Sequence, residues 1–332
     1  MRNAYLTIAL SLAAGTLLSA SPLIITASNN SANNQLLVYN ASGTLLQSVP
    51  TGGQGGATGN AGGIQVKGGL VAVVNFGSQS VSIFELSGGQ FVMKQSIPTL
   101  SSPVGVAFGG DHLYVLGTTR VESHAIVGSY VTPSPDGAAA LLLADGSAAQ
   151  VGVLPQELII AEKNNVIETV GLTRGAVTGV ATLVHNIPDN VNTPFGLVTR
   201  GVNAYVTIAH ANEISLVRND TVLTTTGSGT QMSPCWLTLA GSFLFSSNSP
   251  SKSISKYVVY GQKITQETAV AALLNGAPTD IASAAGLLSV IDGDGDASHL
   301  SIFAMDADGN LTLLAAVRIP GAINGVAIVE GD

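Results

Sequence analysis

The chain has 332 residues, 46% of them hydrophobic and only 10% charged, with a formal net charge of −8. Twelve lysines and arginines spread over that length form no basic patch for a phosphate backbone, which excludes nucleic acid as a partner. The single cysteine, Cys235, excludes an internal disulfide, so stability must come from a large apolar core.

Residues 1–20 read as a secretory signal peptide. Arg2 supplies the positive start, Leu6 to Leu18 is apolar, and Ser19-Ala20 offers small residues for cleavage. The apolar stretch is too short to span a bilayer, and no later segment is long enough. The expectation is a secreted, extracellular, monomeric protein with no membrane span, forming one domain over residues 21–332. Three strand-like runs follow the signal, "PLIITASN" from Pro22, "NQLLVYN" from Asn34 and "TLLQSVP" from Thr44. A glycine-rich connection, "TGGQGGATGNAGG" (Thr51–Gly63), comes next.

From there the chain repeats itself. An anchor recurs as "AGGIQV" at Ala61, "PVGVAF" at Pro103, "QVGVL" at Gln150, "PFGLV" at Pro194, "PCWLT" at Pro234, "PTDIA" at Pro278 and "INGVAIV" near the end. Its third residues lie 40 to 47 positions apart, the spacing of a four-stranded propeller blade. Behind each anchor comes an apolar run, such as "LVAVVNF" from Leu70 or "AYVTIA" from Ala204. Alternating segments such as "SVSIFEL" from Ser80 follow, closed by turns such as "DADGN" at Asp306. The last unit stops after one strand, while the first three strands have no anchor. Joining them predicts an all-β, seven-bladed β-propeller whose last blade combines the N-terminal strands with the C-terminal one. Cys235, inside an apolar repeat beside Trp236, reads as a buried structural thiol.

The segments "SPVGVAFGGDHLYV" (Ser102–Val115), "TPFGLVTRGVNAYV" (Thr193–Val206) and "LSIFAMDADGNLTLL" (Leu300–Leu314) resemble the seven-bladed lactonase-like propeller family. That family includes 6-phosphogluconolactonase-type and carboxymuconate-cyclising enzymes. The resemblance covers the mature chain and implies a small-molecule site around the central channel, with charged residues and histidine. It carries over no catalytic motif residue by residue.

Propeller geometry puts the turns between the second and third strands on the same face as the connections between blades, and that face is the expected functional one. On it fall Arg120, Lys163, Asn75, Asn248, and His210 with Glu213; Asp189 and Asn192 lie in a connection. A histidine near a carboxylate is a general-base pair, so His210, Glu213 and Arg120 are the catalytic candidates. Lys163, Asn75, Asn248 and Asp280 are the ligand-binding candidates; Asp280 occupies the anchor position where other units have glycine. "DGDGD" (Asp292–Asp296) resembles the start of a calcium loop, but Phe303 stands where an EF-hand needs glutamate. A looser Ca2+ site at Asp292 and Asp294 remains, and no other cofactor is expected. His124, in an alternating run, reads as a packed strand histidine. Sequons occur at Asn29, Asn40, Asn219 and Asn310. Two functions fit: a lactonase-like enzyme working at the channel, or a non-catalytic propeller binding a ligand or an extracellular partner. No G-x-S-x-G, H-E-x-x-H, P-loop, G-x-G-x-x-G or C-x-x-C motif points elsewhere.

Overall fold

The structure, a computed structural model, describes residues 21–187 and 193–330. The expected signal peptide, Asp189 and Asn192 lie outside the described residues. Seven small antiparallel sheets form the fold. Blade 1 runs from Ile64 to Pro98, blade 2 from Pro103 to Ala140, blade 3 from Ala148 to Leu183 and blade 4 from Pro194 to Gly227. Blade 5 runs from Pro234 to Leu273 and blade 6 from Ala277 to Pro320. Blade 7 joins the strands Leu23–Ala27, Gln35–Asn40 and Leu45–Pro50 to Asn324–Val329. The first strands of successive blades touch one another in a closed ring, so they line the axis.

Each unit folds as a blade because its apolar residues alternate or run unbroken in strand-length segments bounded by turn residues. The second strand of a blade is sandwiched between neighbours and buried along its length, as in Leu70–Asn75 and His112–Gly117. The outermost strands are half-solvated and expose leucines such as Leu45, Leu46, Leu313 and Leu314. In blades 2 and 3 the outermost position is shared by two short pieces, Tyr130–Val131 with Gly137–Ala140 and Ala176–Val177 with Thr182–Leu183.

The anchor has a physical meaning. Register shifts fall at Pro103/Gly105, Pro194/Leu197, Pro234/Trp236 and Pro278/Asp280, so each proline anchor opens its inner strand with a β-bulge. Where glycine stands, neighbouring backbone leaves no room for a side chain. A Cβ on Gly196 would lie 2.2 Å from the Cys235 carbonyl oxygen, and one on Gly105 would lie 2.8 Å from that of Ala61.

Blade 7 closes the ring as the repeat phase predicts. Ile24 pairs with Ile328 and Ile25 with Ala327, antiparallel. Buried Thr26 adds a bond from its hydroxyl to the Gly325 carbonyl, 2.7 Å long. Ile328 packs with Ile24, Leu287 and Leu300 between blades 6 and 7. Ile328→Ala is therefore expected to lower unfolding free energy by about 2–5 kcal/mol, while exposed Leu313→Ala stays within about 0.5 kcal/mol; urea denaturation measures both.

Candidate functional site

The glycine-rich connection Thr51–Gly63 does not loop out into solvent. It crosses the axis and plugs one end of the channel. The Asn60 amide donates to the Val104 carbonyl of blade 2, and its carbonyl accepts from Trp236 Nε1 of blade 5, 3.1 Å away on the far side of the ring. Ala61 N–H donates to the Ala149 carbonyl at 3.0 Å, and Val106 N–H to the Gly62 carbonyl at 2.9 Å. Lys163 Nζ pins the plug from blade 3, donating to the Gly59 carbonyl at 2.7 Å and the Ala148 carbonyl at 3.3 Å. Burial pushes the Lys163 ammonium below its usual range. Asn29 holds the plug's other arm, donating to the Ala57 carbonyl at 2.9 Å and accepting from Gly56 N–H at 2.7 Å. Ala61, Ala149, Phe195, Trp236 and Ile281 form a dry cluster beneath it.

Below the plug the channel widens into a cavity of about 1160 Å³ that opens at the opposite end. Its floor carries Gln150, Trp236 and Asp280, its walls Gln65, Thr238 and Ser283. Trp236 and Asp280 are the two anchor positions without glycine, and both side chains fill the axis that glycine leaves empty elsewhere. Asp280 is buried. Its Oδ1 accepts from Ile281 N–H at 2.9 Å and its Oδ2 from Val326 N–H at 3.3 Å. Burial outweighs these amides, with a further one from Gly62, and lifts its carboxyl to about 7. A carboxyl in that range is acid or base near neutral pH.

The mouth is built by turns between first and second strands, and by the hairpin tip Thr173–Gly175 of blade 3. Arg174 on this tip and Asp111 are its charged lining residues. Behind Asp111, buried His112 bridges two carboxylates, Asp111 through Nδ1 and Asp136 through Nε2, at 2.8 Å each. Tyr114 stacks beside it and donates its hydroxyl to the Gly175 carbonyl at 2.8 Å. Among the described residues no histidine lines the cavity.

The sequence-derived candidates divide between the two ends. Asp280 lies in the cavity. Arg120, Lys163, His210 and Glu213 lie at the plugged end. His210 is exposed on the short turn Ala209–Ala211, and its Nδ1 meets the Thr193 hydroxyl at 3.0 Å. No hydrogen bond or ion pair joins it to Glu213 among the described residues. Arg120 is exposed at the start of the strand Arg120–Val127.

Asn75, Asn248 and Asp292 share one buried place, the sixth residue of a blade's second strand, together with Glu162. Asn75 accepts from the Thr51 hydroxyl at 2.7 Å and the Asn34 amide at 3.0 Å, and donates to Ser82 Oγ at 2.7 Å. Asn248 donates to Ser255 Oγ at 2.8 Å and Ser253 Oγ at 3.0 Å. Asp292 Oδ1 meets His299 Nδ1 at 3.1 Å, and burial lifts its carboxyl above its usual range. Asp294 is exposed at the hairpin turn. Among the described residues no three potential metal-ligating side chains gather at one place. Buried His124 lies between the Thr132 carbonyl and Glu122, and burial pushes the Cys235 thiol up to about 12. Sequence reasoning missed the plug and Asn60. The unusual length of the glycine-rich connection was the available signal.

No protein-family model and no curated protein matches this chain. Solved structures do. A Bacteroides fragilis protein provisionally named a 6-phosphogluconolactonase superposes with a TM-score of 0.64 at 15% identity, over 95% of this chain and 99% of its own. The periplasmic gluconolactonase of Pseudomonas aeruginosa gives 0.66 at 15% identity, over 94% and 99%. Streptogramin B lyase gives 0.58 at 12% identity, over 81% and 88%. The chain shares their fold. It is a seven-bladed β-propeller.

If Asn75 is a structural knot, Asn75→Ala strands the buried Asn34, Thr51 and Ser82 groups. Its urea midpoint should fall, equivalent to at least about 2 kcal/mol, with an unchanged slope. A residue that only contacts ligand would leave the midpoint where it is.

Proposed function

We propose that this propeller binds a small polar ligand in the blind cavity and hydrolyses or forms a lactone there, with Asp280 as the acid–base group. The observation that carries this reading is the buried Asp280 carboxyl, held at about 7 on the floor of a deep cavity open at one end. In hydrolysis the Asp280 carboxylate takes a proton from the attacking water and returns it to the leaving ring oxygen. The Gln150 Nε2 amide, whose Oε1 accepts from Leu197 N–H, is the neutral donor for the developing oxyanion. Arg174 at the mouth is the cationic lining residue that meets an incoming ligand. The lactonase and gluconolactonase names of the structural neighbours support the reaction class as fold-level analogy. The leader-like first twenty residues support an activity outside the cytoplasm.

A panel of five- and six-membered lactones, followed by pH-stat, tests this. Turnover should rise through about pH 7 as Asp280 ionises, and Asp280→Asn should lower kcat at least about 100-fold. The same variant reports its own folding. Asp280 is raised from 3.8, so the folded chain keeps a proton that the unfolded chain has lost, and stability falls as pH rises through that window. Asp280→Asn removes this titration, so its stability should no longer fall across that window. Turnover unchanged in Asp280→Asn would discard the site. No turnover on any lactone, with saturable ligand binding retained, would leave a binding module.

A further inference from the structure

Blade 3 contains a pair of groups that the proposed chemistry does not use. Glu162 ends the strand Glu157–Glu162, and Glu168 lies on the adjacent strand Val166–Thr173. Both side chains are fully buried. Leu142 N–H donates to Glu168 Oε2 at 2.8 Å and Leu143 N–H to Glu162 Oε1 at 3.2 Å, so consecutive amides hold the two carboxyls side by side. The Ser147 hydroxyl reaches Glu162 Oε2 at 3.5 Å. The remaining oxygen, Glu168 Oε1, is buried and finds no donor. Two carboxyls held this close in a dry site keep a proton on one of them.

The same place in other blades is charge-balanced or neutral. Blade 1 has Asn75 with Ser82, blade 5 has Asn248 with Ser255, and blade 6 has Asp292 with His299. Only in blade 3, among these four, do two acids face each other. The charged neighbour of the pair is Asp145, on the connection that supplies Leu142 and Leu143; Lys163 follows Glu162 along the chain, and Asp145 is its charged neighbour too. From the outer side Glu168 pairs with uncharged Leu183. Lys163 is the residue that pins the plug at Gly59, and its own N–H is bound to the Ser147 carbonyl at 2.8 Å.

We propose that the Glu162–Glu168 pair is a proton-operated latch on the channel plug. With one shared proton the pair is a single hydrogen-bonded unit that fixes the 142–147 connection and the end of the strand carrying Lys163. When that proton passes to solvent, two like charges occupy one dry site. The pair separates, the 142–147 connection shifts with the Lys163 backbone bonded to it, and the plug loses its Gly59 contact. The plug is therefore firm on the acid side and loose on the alkaline side. The direction agrees with burial lifting both carboxyls, Glu168 to about 7 from 4.5. The folded chain holds the extra proton through that window, so stability also falls as pH rises across it.

Trp236 is the chain's one tryptophan and is bonded to the plug, so its fluorescence reads the latch directly. Acrylamide quenching of the mature chain is measured from about pH 5 to about pH 9 in wild type, Glu168→Gln, Glu162→Gln and Asp280→Asn. Asp280 titrates in the same range and accepts from the plug's Gly62, so its variant separates the two carboxyl systems. The expected result is a quenching constant that rises at least about twofold across pH 7 in wild type and in Asp280→Asn. Either glutamine variant should hold the low plateau throughout, and the second serves if the first does not fold. A flat wild-type profile overturns the latch, as does a rise that persists in a folded glutamine variant. A rise lost in Asp280→Asn instead assigns the transition to the cavity floor and overturns it equally.

Discussion

The controlling constraint is crowding at the axis. Seven inner strands converge so closely that a Cβ on Gly196 would lie 2.2 Å from the Cys235 carbonyl oxygen. A ring with glycine at every anchor could close tightly, but no side chain would then reach the centre. Blades 5 and 6 break the rule with Trp236 and Asp280. Those two side chains, with the plug's Asn60, convert a narrowing bore into a floored cavity. The chemical character of the site thus follows from where the packing rule is relaxed.

The plug decides which end of the channel stays open. A thirteen-residue connection rich in glycine would ordinarily be a surface loop. Here its backbone replaces missing side chains, bonding to inner strands of blades 2, 3 and 5. Glycine permits that close approach, since a Cβ on Gly55 would lie 2.3 Å from the Asn29 carbonyl carbon. The cavity therefore faces the end built from short hairpin turns, and the polar residues at the other end surround a sealed channel.

This explains what the sequence disclosed and what it withheld. The blade count and the closure of blade 7 were legible because strand periodicity and the proline-anchor bulge are local signals that recur. Asp280 was legible because it interrupts that recurrence. The orientation of the site was not, because Asn60 finds Val104 and Trp236 across the ring, and no local pattern encodes so distant a pairing. Asn75, Asn248 and Asp292 looked like turn residues, as their composition suggests. Their register on the second strand points them inward, where they tie strands to connections. Burial, rather than residue type, separates a knot from a ligand contact.

Ring closure has a kinetic side. Thr26 and Gly325 stand 299 positions apart in the chain and share one buried bond. The strand Leu23–Ala27 is made before blades 1 to 6 and cannot acquire its inner partner until Asn324–Val329 has been made. Until then it presents an unpaired apolar edge, and blades 1 to 6 must stack without a stop at either side. Contacts of such long range form late and slowly. The finished ring has no terminal blade from which to fray, so the late seam that delays assembly also resists stepwise disassembly.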